Sequence, residues 1–362
     1  MYIKNGKISD RQTFRLFVFD LLGIATLLLP PYLARLCGED GIFAILAGVG
    51  LGFLYLFYLG WVMRNMGTDL SSYLRQNCGG FVRAFVLFGV LVHSTFSAGF
   101  CAYVFADLMQ YSLIRETSFA VVLAVIVVVS AYAVSGGIES RARCYEVLFW
   151  FVLVPFAAMM LASVRNFEPM YVDSFLDTAP IQLAKGIYLV FLLLTPLFFS
   201  LFLIREKEKN YGVSMVKTVG ISVLLSGGIL LGSYVLLLGN FGEGALGNMR
   251  YPVVTLMSTI QFEGTFLKRM DALMLAVWFF TLYALLNLHL HYSVEMWKEG
   301  TQKTKVWQLV LQAVLVFVIA WMMQNSYQWV ELFFAYYSYL AAPLMVLVPG
   351  GLLLYKVQKS SI

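Results

Sequence analysis

The sequence contains little charge. Asp, Glu, Lys and Arg make up 12% of its 362 residues, about half the share found in soluble globular proteins. Hydrophobic residues make up 60%, compared with roughly 45–50% in such proteins. A water-soluble core cannot hide this excess of apolar side chains, so we predict an integral membrane protein that contacts the lipid bilayer. The net charge of +5 is too small to indicate nucleic-acid binding.

Signals of catalysis and of metal binding are also missing. The four cysteines have no Cys-x-x-Cys spacing, and the sequence has three histidines and no acidic cluster. It lacks the HExxH, GxSxG, phosphate-loop and dinucleotide-binding motifs. We therefore predict no enzymatic activity, no disulfide, no metal site and no cofactor.

Long apolar runs are abundant. A helix needs about 20 apolar residues to cross ~30 Å of hydrocarbon. Runs bounded by glycine, proline or charged residues predict an all-α polytopic membrane protein, with ten transmembrane helices in a single domain over 1–362. The predicted spans are 12–34, 41–63, 81–109, 117–135, 144–164, 181–204, 213–239, 270–295, 305–324 and 329–355.

The basic residues predict the orientation. With ten spans both termini lie on one side of the membrane. If that side is the cytoplasm, only seven of the 25 Lys and Arg residues lie outside, and the other 18 are cytoplasmic. Basic residues collect in cytoplasmic loops, so we predict cytoplasmic N- and C-termini. The seven exceptions are Arg35, Arg115, Arg165, Lys185, Arg250, Lys268 and Arg269.

Two interruptions predict an inverted repeat. Span 1 contains Gly-Ile-Ala-Thr at 23–26, and span 6 contains Leu-Thr-Pro at 194–196. Proline removes a backbone donor and disfavours helix at the preceding residue. Interrupted helices at matching places in inverted halves indicate a binding site between them. We predict a first repeat over 12–164 and a second over 181–355, with helices 1 and 6 broken. The alternative is that glycine and proline are simply common in membrane helices.

Spans 2 and 7 each carry a pair of glycines four residues apart. These are Gly48 and Gly52 in span 2, and Gly228 and Gly232 in span 7. Small residues at this spacing let two membrane helices approach closely. The sequence therefore predicts close helix contacts at both pairs.

Polar residues inside the spans predict the site. Asp20 lies one turn before the span 1 interruption, and an unpaired carboxylate in hydrocarbon is costly. We expect Asp20 to be paired with a polar residue of span 8, or to take part in ion coupling. The histidines have a structural alternative, in which they bond to neighbouring backbone or lie at the inner interface. The predicted ligand-binding residues are Gly23, Ile24, Ala25, Thr26, His93, Ser97, Leu194, Thr195 and Pro196, and the candidates for ion coupling are Asp20, Thr281, Asn287 and His289.

The predicted binding mode uses the main chain. A broken span 1 exposes free N–H groups near Thr26, and these suit the carboxylate of an amino acid. Carbonyl groups freed around Leu194 and Thr195 suit its ammonium group. A zwitterion would then be recognised with few charged side chains.

Four segments resemble a known family. They are Ile-Ser-Asp-Arg-Gln at 8–12, Leu-Leu-Leu-Pro at 27–30, Arg-Tyr-Pro at 250–252, and Phe-Leu-Lys-Arg-Met-Asp-Ala-Leu at 266–273, which is followed by Trp278. Over the full chain they resemble the B subunit of the spore nutrient-germinant receptors, the GerAB/ArcD/ProY family.

The resemblance implies a fold like that of amino acid–polyamine–cation transporters, which is LeuT-like with five-plus-five inverted repeats. It also implies a sensor of small nutrients, commonly amino acids, in the spore inner membrane. Such a subunit works beside an A-type membrane subunit and a C-type lipoprotein. Asp20 departs from the family pattern, which keeps open a secondary amino-acid transporter coupled to protons or Na⁺. A membrane subunit with a purely structural role is the third alternative.

Overall fold

The computed structural model of the chain describes residues 8–172, 176–203, 213–259, 270–297, 306–324, 326 and 328–360. Its described elements are α-helices and short 3₁₀ and π segments. The helices are α1 (Asp10–Cys37), α2 (Gly41–Met66), α3 (Leu70–Asn77), α4 (Gly80–Ser112), α5 (Phe119–Ser135), α6 (Gly137–Ser163), α7 (Pro180–Leu192), α8 (Ser200–Leu203), α9 (Val213–Asn248), α10 (Pro252–Thr259), α11 (Met270–Trp297), α12 (Val306–Met322), α13 (Gln328–Tyr336) and α14 (Ala342–Ser360).

The apolar helices coincide with the predicted spans. Within the described ranges, seven stretches are long and apolar enough to cross a membrane, and the first of them contains both α1 and α2. The helices α5 and α12 are apolar but shorter. The chain is a multi-pass membrane protein, while the number of ten spans stays a prediction. The predicted cytoplasmic loops at 205–209 and 298–305 lie outside the described residues.

Helix α1 lies at the centre of the bundle. It begins with a capping box, in which the Ser9 Oγ accepts from the Gln12 backbone N–H at 3.2 Å and the Gln12 Oε1 accepts from the Ser9 N–H at 3.0 Å. Such a box satisfies two donors that a helix start leaves free. The helix then packs against α6, α7, α9 and α11. We call the end of the bundle where α1 begins the amino-terminal face, and the end where it stops at Cys37 the opposite face.

The structure corrects the predicted break in span 1. Helix α1 is continuous from Asp10 to Cys37 and passes through 23–26 without interruption. The Thr26 hydroxyl donates to the Leu22 carbonyl at 2.9 Å, one turn back along the same helix. A single glycine costs a helix only about 1 kcal/mol relative to alanine, and a buried apolar neighbourhood outweighs that cost.

The predicted break in span 6 is present. Helix α7 ends at Leu192, a 3₁₀ segment covers Thr195–Phe199, and α8 follows at Ser200. Pro196 has no N–H to donate, and it sits at the start of the 3₁₀ segment. The Thr195 hydroxyl donates to the Leu192 carbonyl at 2.6 Å, and the Leu197 N–H donates to the Leu194 carbonyl at 3.1 Å. Some of the backbone carbonyl groups at the break therefore accept hydrogen bonds from within the break itself.

Two spans differ from their predicted limits. Helix α6 begins at Gly137, whose φ of +77° turns the chain sharply after α5, so Arg141 lies in a helix rather than in a loop. Helix α9 continues to Asn248 through a kink at Gly242. The segment predicted as an outer loop at 240–269 thus holds the end of α9 and all of α10, and 260–269 lies outside the described residues.

One of the two glycine pairs makes the expected close contact. A Cβ added at Gly48 would lie 2.5 Å from the Val190 Cβ and 2.9 Å from the Ile187 carbonyl oxygen of α7. At Gly228 and Gly232, no described atom would lie within 4 Å of an added Cβ. The pair in α2 therefore sets a helix contact, and the pair in α9 does not.

We expect Gly48→Ala to destabilise the protein by about 1–3 kcal/mol, because the added methyl group must push α2 away from α7. Thermal unfolding of the purified protein in detergent measures the effect. Gly50→Ala is the matched control, since an added Cβ there meets nothing within 4 Å. Equal unfolding temperatures for the two variants would show that α2 and α7 are not in close contact.

Candidate functional site

The structure brings part of the predicted site to one small central cavity. Ile24 and Ala25 of α1, Pro196 of the span 6 break and Asp20 line this cavity. Leu21 of α1 also lines it. The other wall residues come from the end of α7, from α11 and from the last span, and they are Leu193, Leu285, Phe333 and Tyr337. Two predicted segments and one ion-coupling candidate therefore meet at one place in the bundle.

The central cavity is small. Its volume is ≈ 20 Å³, about the space needed for one water molecule. An amino acid does not fit without movement of the surrounding helices, so the site must widen to admit one.

The remaining residues of segment 23–26 contact α11. A Cβ added at Gly23 would lie 2.9 Å from the Leu285 Cδ1 and 3.1 Å from the Thr281 carbonyl oxygen. The Thr26 hydroxyl accepts a hydrogen bond from the Trp278 indole N–H at 3.3 Å. Gly23 therefore permits close packing of two helices. Because α1 is unbroken, it offers no free N–H groups at Thr26 for a carboxylate.

We expect Gly23→Val to destabilise the protein by about 1–3 kcal/mol, since the added methyl groups overpack the contact with α11. Thr26→Ala removes one hydrogen-bond acceptor, and its cost should be about 1 kcal/mol. Unfolding temperatures of both variants in the same detergent check these values. A Gly23→Val protein with the wild-type unfolding temperature would show that α1 and α11 are not in close contact at Gly23.

Asp20 forms a buried ion pair with Arg141 of α6. The Arg141 Nη2 donates to the Asp20 Oδ1, and the Asp20 side chain is 0% exposed and that of Arg141 4% exposed. Arg141 also donates from Nε to the Tyr145 hydroxyl at 3.2 Å. The Tyr145 hydroxyl in turn donates to the Ala284 carbonyl of α11 at 3.2 Å. The charged partner of Asp20 thus comes from α6, and not from α11 as predicted for span 8.

The ion pair leaves two polar atoms free. Neither Asp20 Oδ2 nor Arg141 Nη1 has a hydrogen-bond partner among the described residues. Buried polar atoms are normally bonded, because an unpaired one loses its hydration without compensation. Asp20 also lines the central cavity, so the residue with an unbonded carboxylate oxygen is one of the residues of its wall.

His93 and Ser97 contact the last span. The His93 Nδ1 lies 3.0 Å from the Tyr336 hydroxyl, and the Ser97 Oγ lies 3.2 Å from the Tyr337 hydroxyl. Tyr337 begins a π segment, Tyr337–Ala341, that separates α13 from α14. Such segments are frequent at functional sites. Ser97 therefore borders the central cavity through Tyr337.

A cluster of aromatic rings lies between α4, α11 and the span 6 break. Residue numbers along α11 rise towards the amino-terminal face, because Trp278 contacts Thr26 whereas Thr281 and Leu285 lie beside Gly23. Tyr292 stacks on Phe199 with ring centroids 4.4 Å apart, and His289 meets Phe199 edge-on at 5.6 Å. His93 lies 5.5 Å from His289.

The other ion-coupling candidates lie along α11. The Thr281 hydroxyl donates to the Val277 carbonyl at 3.0 Å, so its hydrogen bond lies within α11. Within the described part of the chain, Asn287 Oδ1 and His289 Nδ1 have no hydrogen-bond partner. The structure does not bring these three residues into the lining of the central cavity.

A larger cavity opens on the opposite face. It has a volume of ≈ 590 Å³ and lies between the ends of α4, α10 and α11. Its lining includes Gln110, Arg115, Thr255 and Trp278. Trp278 thus lines this cavity and contacts Thr26, so one side chain separates it from α1.

Sequence reasoning missed Arg141, Tyr145, Tyr337 and Trp278 as site residues. Arg141 was counted among cytoplasmic basic residues, because the predicted span 5 began three residues after it. The signal that could have found it is Asp20 itself. A carboxylate in the middle of a span needs a cation from another span, and Arg141, three residues before predicted span 5, is one of the basic residues close enough to a span to supply it.

The fold resembles that of a solved transporter. The chain superposes on a Na⁺-coupled sialic acid symporter in a substrate-bound outward-open state with a TM-score of 0.66 and 10% identity. The match covers 94% of this chain and 78% of the symporter. The predicted LeuT-like fold class is confirmed. The division into repeats at 12–164 and 181–355 stays a prediction.

Sequence comparisons point to sporulation proteins. The chain is 21% identical to spore germination protein B2 of Bacillus subtilis (strain 168) over 283 residues, which cover 75% of this chain and 74% of that protein. It is 18% identical to spore germination protein A2 of the same organism over 94% of this chain and 93% of the relative. A profile of the family described as spore germination protein matches residues 7–329. The chain therefore belongs to the spore germination protein family.

Proposed function

We propose that the chain is the nutrient-sensing membrane subunit of a spore germination receptor, and that its nutrient is an amino acid. The observation that supports this proposal is a small central cavity, lined by Asp20 and Pro196, in a spore germination protein with the fold of a transporter. A transporter fold supplies a site that opens and closes around a small solute. A sensor uses the same motion as its signal. This role requires no enzymatic activity and no cofactor.

The proposed setting is the spore inner membrane. The relatives are named spore germination proteins B2, A2 and KB, and we infer that the receptor has several subunits. The partners would be an A-type membrane subunit and a C-type lipoprotein. Genes for both beside this one would favour the receptor, and an isolated gene would favour a transporter.

The proposed orientation places both termini in the cytoplasm. In a variant without native cysteines, a single cysteine at Glu243 is expected to react with a membrane-impermeant thiol reagent added to sealed cells. A cysteine at Lys207, outside the described residues, is expected to react only after the membrane is opened. The physical reason is that most basic residues would otherwise face outward. Labelling of the Lys207 position in sealed cells would invert the topology.

Deletion of the gene in its spore-forming host tests the sensing function. Spores without the gene should fail to release their contents in response to at least one amino acid that triggers wild-type spores. Their response to chemical triggers that bypass nutrient sensing is the control. Restoring the gene should restore the response. If the deletion strain responds to the complete nutrient panel like wild type, the proposal is wrong.

A secondary amino-acid transporter coupled to protons or Na⁺ is the alternative. Asp20 favours it, because a buried carboxylate beside a cavity that fits one water molecule also suits a small cation. Thr281, Asn287 and His289 are the other candidates for such coupling. Uptake of labelled amino acids into vesicles that contain the purified protein, driven by an imposed Na⁺ or proton gradient, is the expected result for a transporter.

A further inference from the structure

The Asp20–Arg141 ion pair has an unusual setting. It connects α1 to α6 in the interior of the bundle, and one of its members, Asp20, lines the small central cavity beside Ile24 and Ala25. Each partner keeps one unbonded polar atom, Asp20 Oδ2 and Arg141 Nη1. A pair that served stability alone would be expected to satisfy these atoms, since buried charges need their full set of hydrogen bonds.

We propose that this ion pair is the recognition site for the backbone of an amino acid, and that the ligand replaces the pair. This inference rests on the proposed function. The ligand's ammonium group binds the Asp20 carboxylate, and its carboxylate binds the Arg141 guanidinium. Without ligand, the protein's own ion pair holds the two charges together. The bound zwitterion separates them.

Charge balance makes the exchange feasible. Before binding, each buried charge faces its opposite within the protein. After binding, each faces the opposite charge of the ligand, so no buried charge is left uncompensated. An amine would leave Arg141 unpaired, and a carboxylic acid would leave Asp20 unpaired. Leaving one member of a buried pair alone is strongly unfavourable, so only a molecule with both charges is accepted.

The cavity wall indicates the class of side chain. Apart from Asp20 and Tyr337, the wall consists of residues with apolar side chains, among them Leu21, Ile24, Leu193, Leu285 and Phe333. It offers no charged partner for a ligand side chain. The ligand class is therefore an amino acid with a small apolar side chain.

The exchange also supplies a signal. Arg141 ties α1 to α6, and Tyr145 ties α6 to the Ala284 carbonyl of α11. A zwitterion between Asp20 and Arg141 lengthens the link between α1 and α6, because a ligand now stands where the two side chains met. The cavity grows by the same movement.

Thermal unfolding of the full-length protein in detergent tests the proposal. A ligand that binds the native state raises the unfolding temperature. The probes are the common L-amino acids and, for each one that binds, two analogues: the acid without the amino group and the amine without the carboxylate. Wild-type protein should respond to one or more amino acids with apolar side chains. Both analogues should need a concentration at least roughly thirtyfold higher, the factor that 2 kcal/mol corresponds to.

The double variant Asp20→Asn/Arg141→Gln should lose the response by a similar factor. Its control is Asp107→Asn/Arg250→Gln, which neutralises the ion pair between α4 and the start of α10 (Arg250 Nη2 to Asp107 Oδ1, 2.5 Å) and should respond like wild type.

Several outcomes would overturn the inference. If either analogue binds as well as the amino acid, the protein does not require both the ammonium and the carboxylate group of the ligand. If the Asp20→Asn/Arg141→Gln protein responds at the wild-type concentration, the ligand binds elsewhere, while the proposed sensing function stands. If no amino acid shifts the wild-type protein, both the inference and the amino-acid specificity fail. The comparison of analogues uses wild-type protein alone, so it can overturn the inference even if the double variant does not fold.

Discussion

Replacement of Arg141 alone by glutamine is expected to destabilise the folded protein by about 3–5 kcal/mol. Arg141 and Asp20 are both buried, and their side chains bond directly. Removing one partner of such a pair leaves the other as an uncompensated charge in a medium of low dielectric constant. The measurement is the free energy or temperature of unfolding of the purified protein in detergent, together with its abundance in the membrane.

The double variant Asp20→Asn/Arg141→Gln separates charge from packing. It removes both charges while keeping side chains of similar size, so it should recover most of the stability that Arg141→Gln loses. Arg143→Gln is the matched control on the same helix. Arg143 pairs with Glu139 one turn away and is 43% exposed, and such a pair contributes about 0.3–0.5 kcal/mol. If Arg141→Gln were as mild as Arg143→Gln, Arg141 could not be buried beside Asp20.

Trp278→Ala is expected to cost about 3–5 kcal/mol. Trp278 is 1% exposed and meets Phe156 of α6 edge-on, with ring centroids 6.0 Å apart. It also donates the hydrogen bond to Thr26. Truncation leaves a cavity between α1, α6 and α11, joined to the larger cavity on the opposite face.

Trp321→Ala is the control for this truncation. Trp321 lies in α12 and is 53% exposed, so it faces lipid and its loss creates no interior cavity. Unfolding temperatures of the two variants in the same detergent make the comparison. Trp278→Phe should fall between wild type and Trp278→Ala, because it keeps the ring and loses the hydrogen bond to Thr26. A Trp278→Ala protein as stable as Trp321→Ala would contradict the buried position of Trp278.

Apolar length was sufficient to predict the helices, because the membrane requires about 20 apolar residues for each span. It was not sufficient to predict helix continuity. Glycine at position 23 and proline at position 196 were given the same meaning, yet only Pro196 lies at a break. A proline always removes a backbone donor. A glycine weakens a helix only slightly, and its effect depends on the helix that packs against it. Here that helix is α11, which the sequence does not place.

The part of the site that depends only on residue type was predictable. A lone carboxylate is costly in hydrocarbon, so Asp20 was expected to have a polar partner or a functional role. Its actual partner depends on how α1 and α6 cross, which is a tertiary property. Arg141 lay near a predicted span end, where long basic side chains usually reach the membrane surface. Only the structure shows that its guanidinium group points inward.

The central claim is that the chain senses an amino acid and does not accumulate it. The most direct test supplies spores with a labelled amino acid that triggers their wild-type response, and follows release of spore contents and uptake of label together. Two strains are compared: the deletion strain, and the same strain with the wild-type gene restored. Spores of the restored strain should release their contents, and they should take up no more label than spores of the deletion strain. Gene-dependent accumulation of label, driven by a Na⁺ or proton gradient and without release, would contradict the account and identify a transporter.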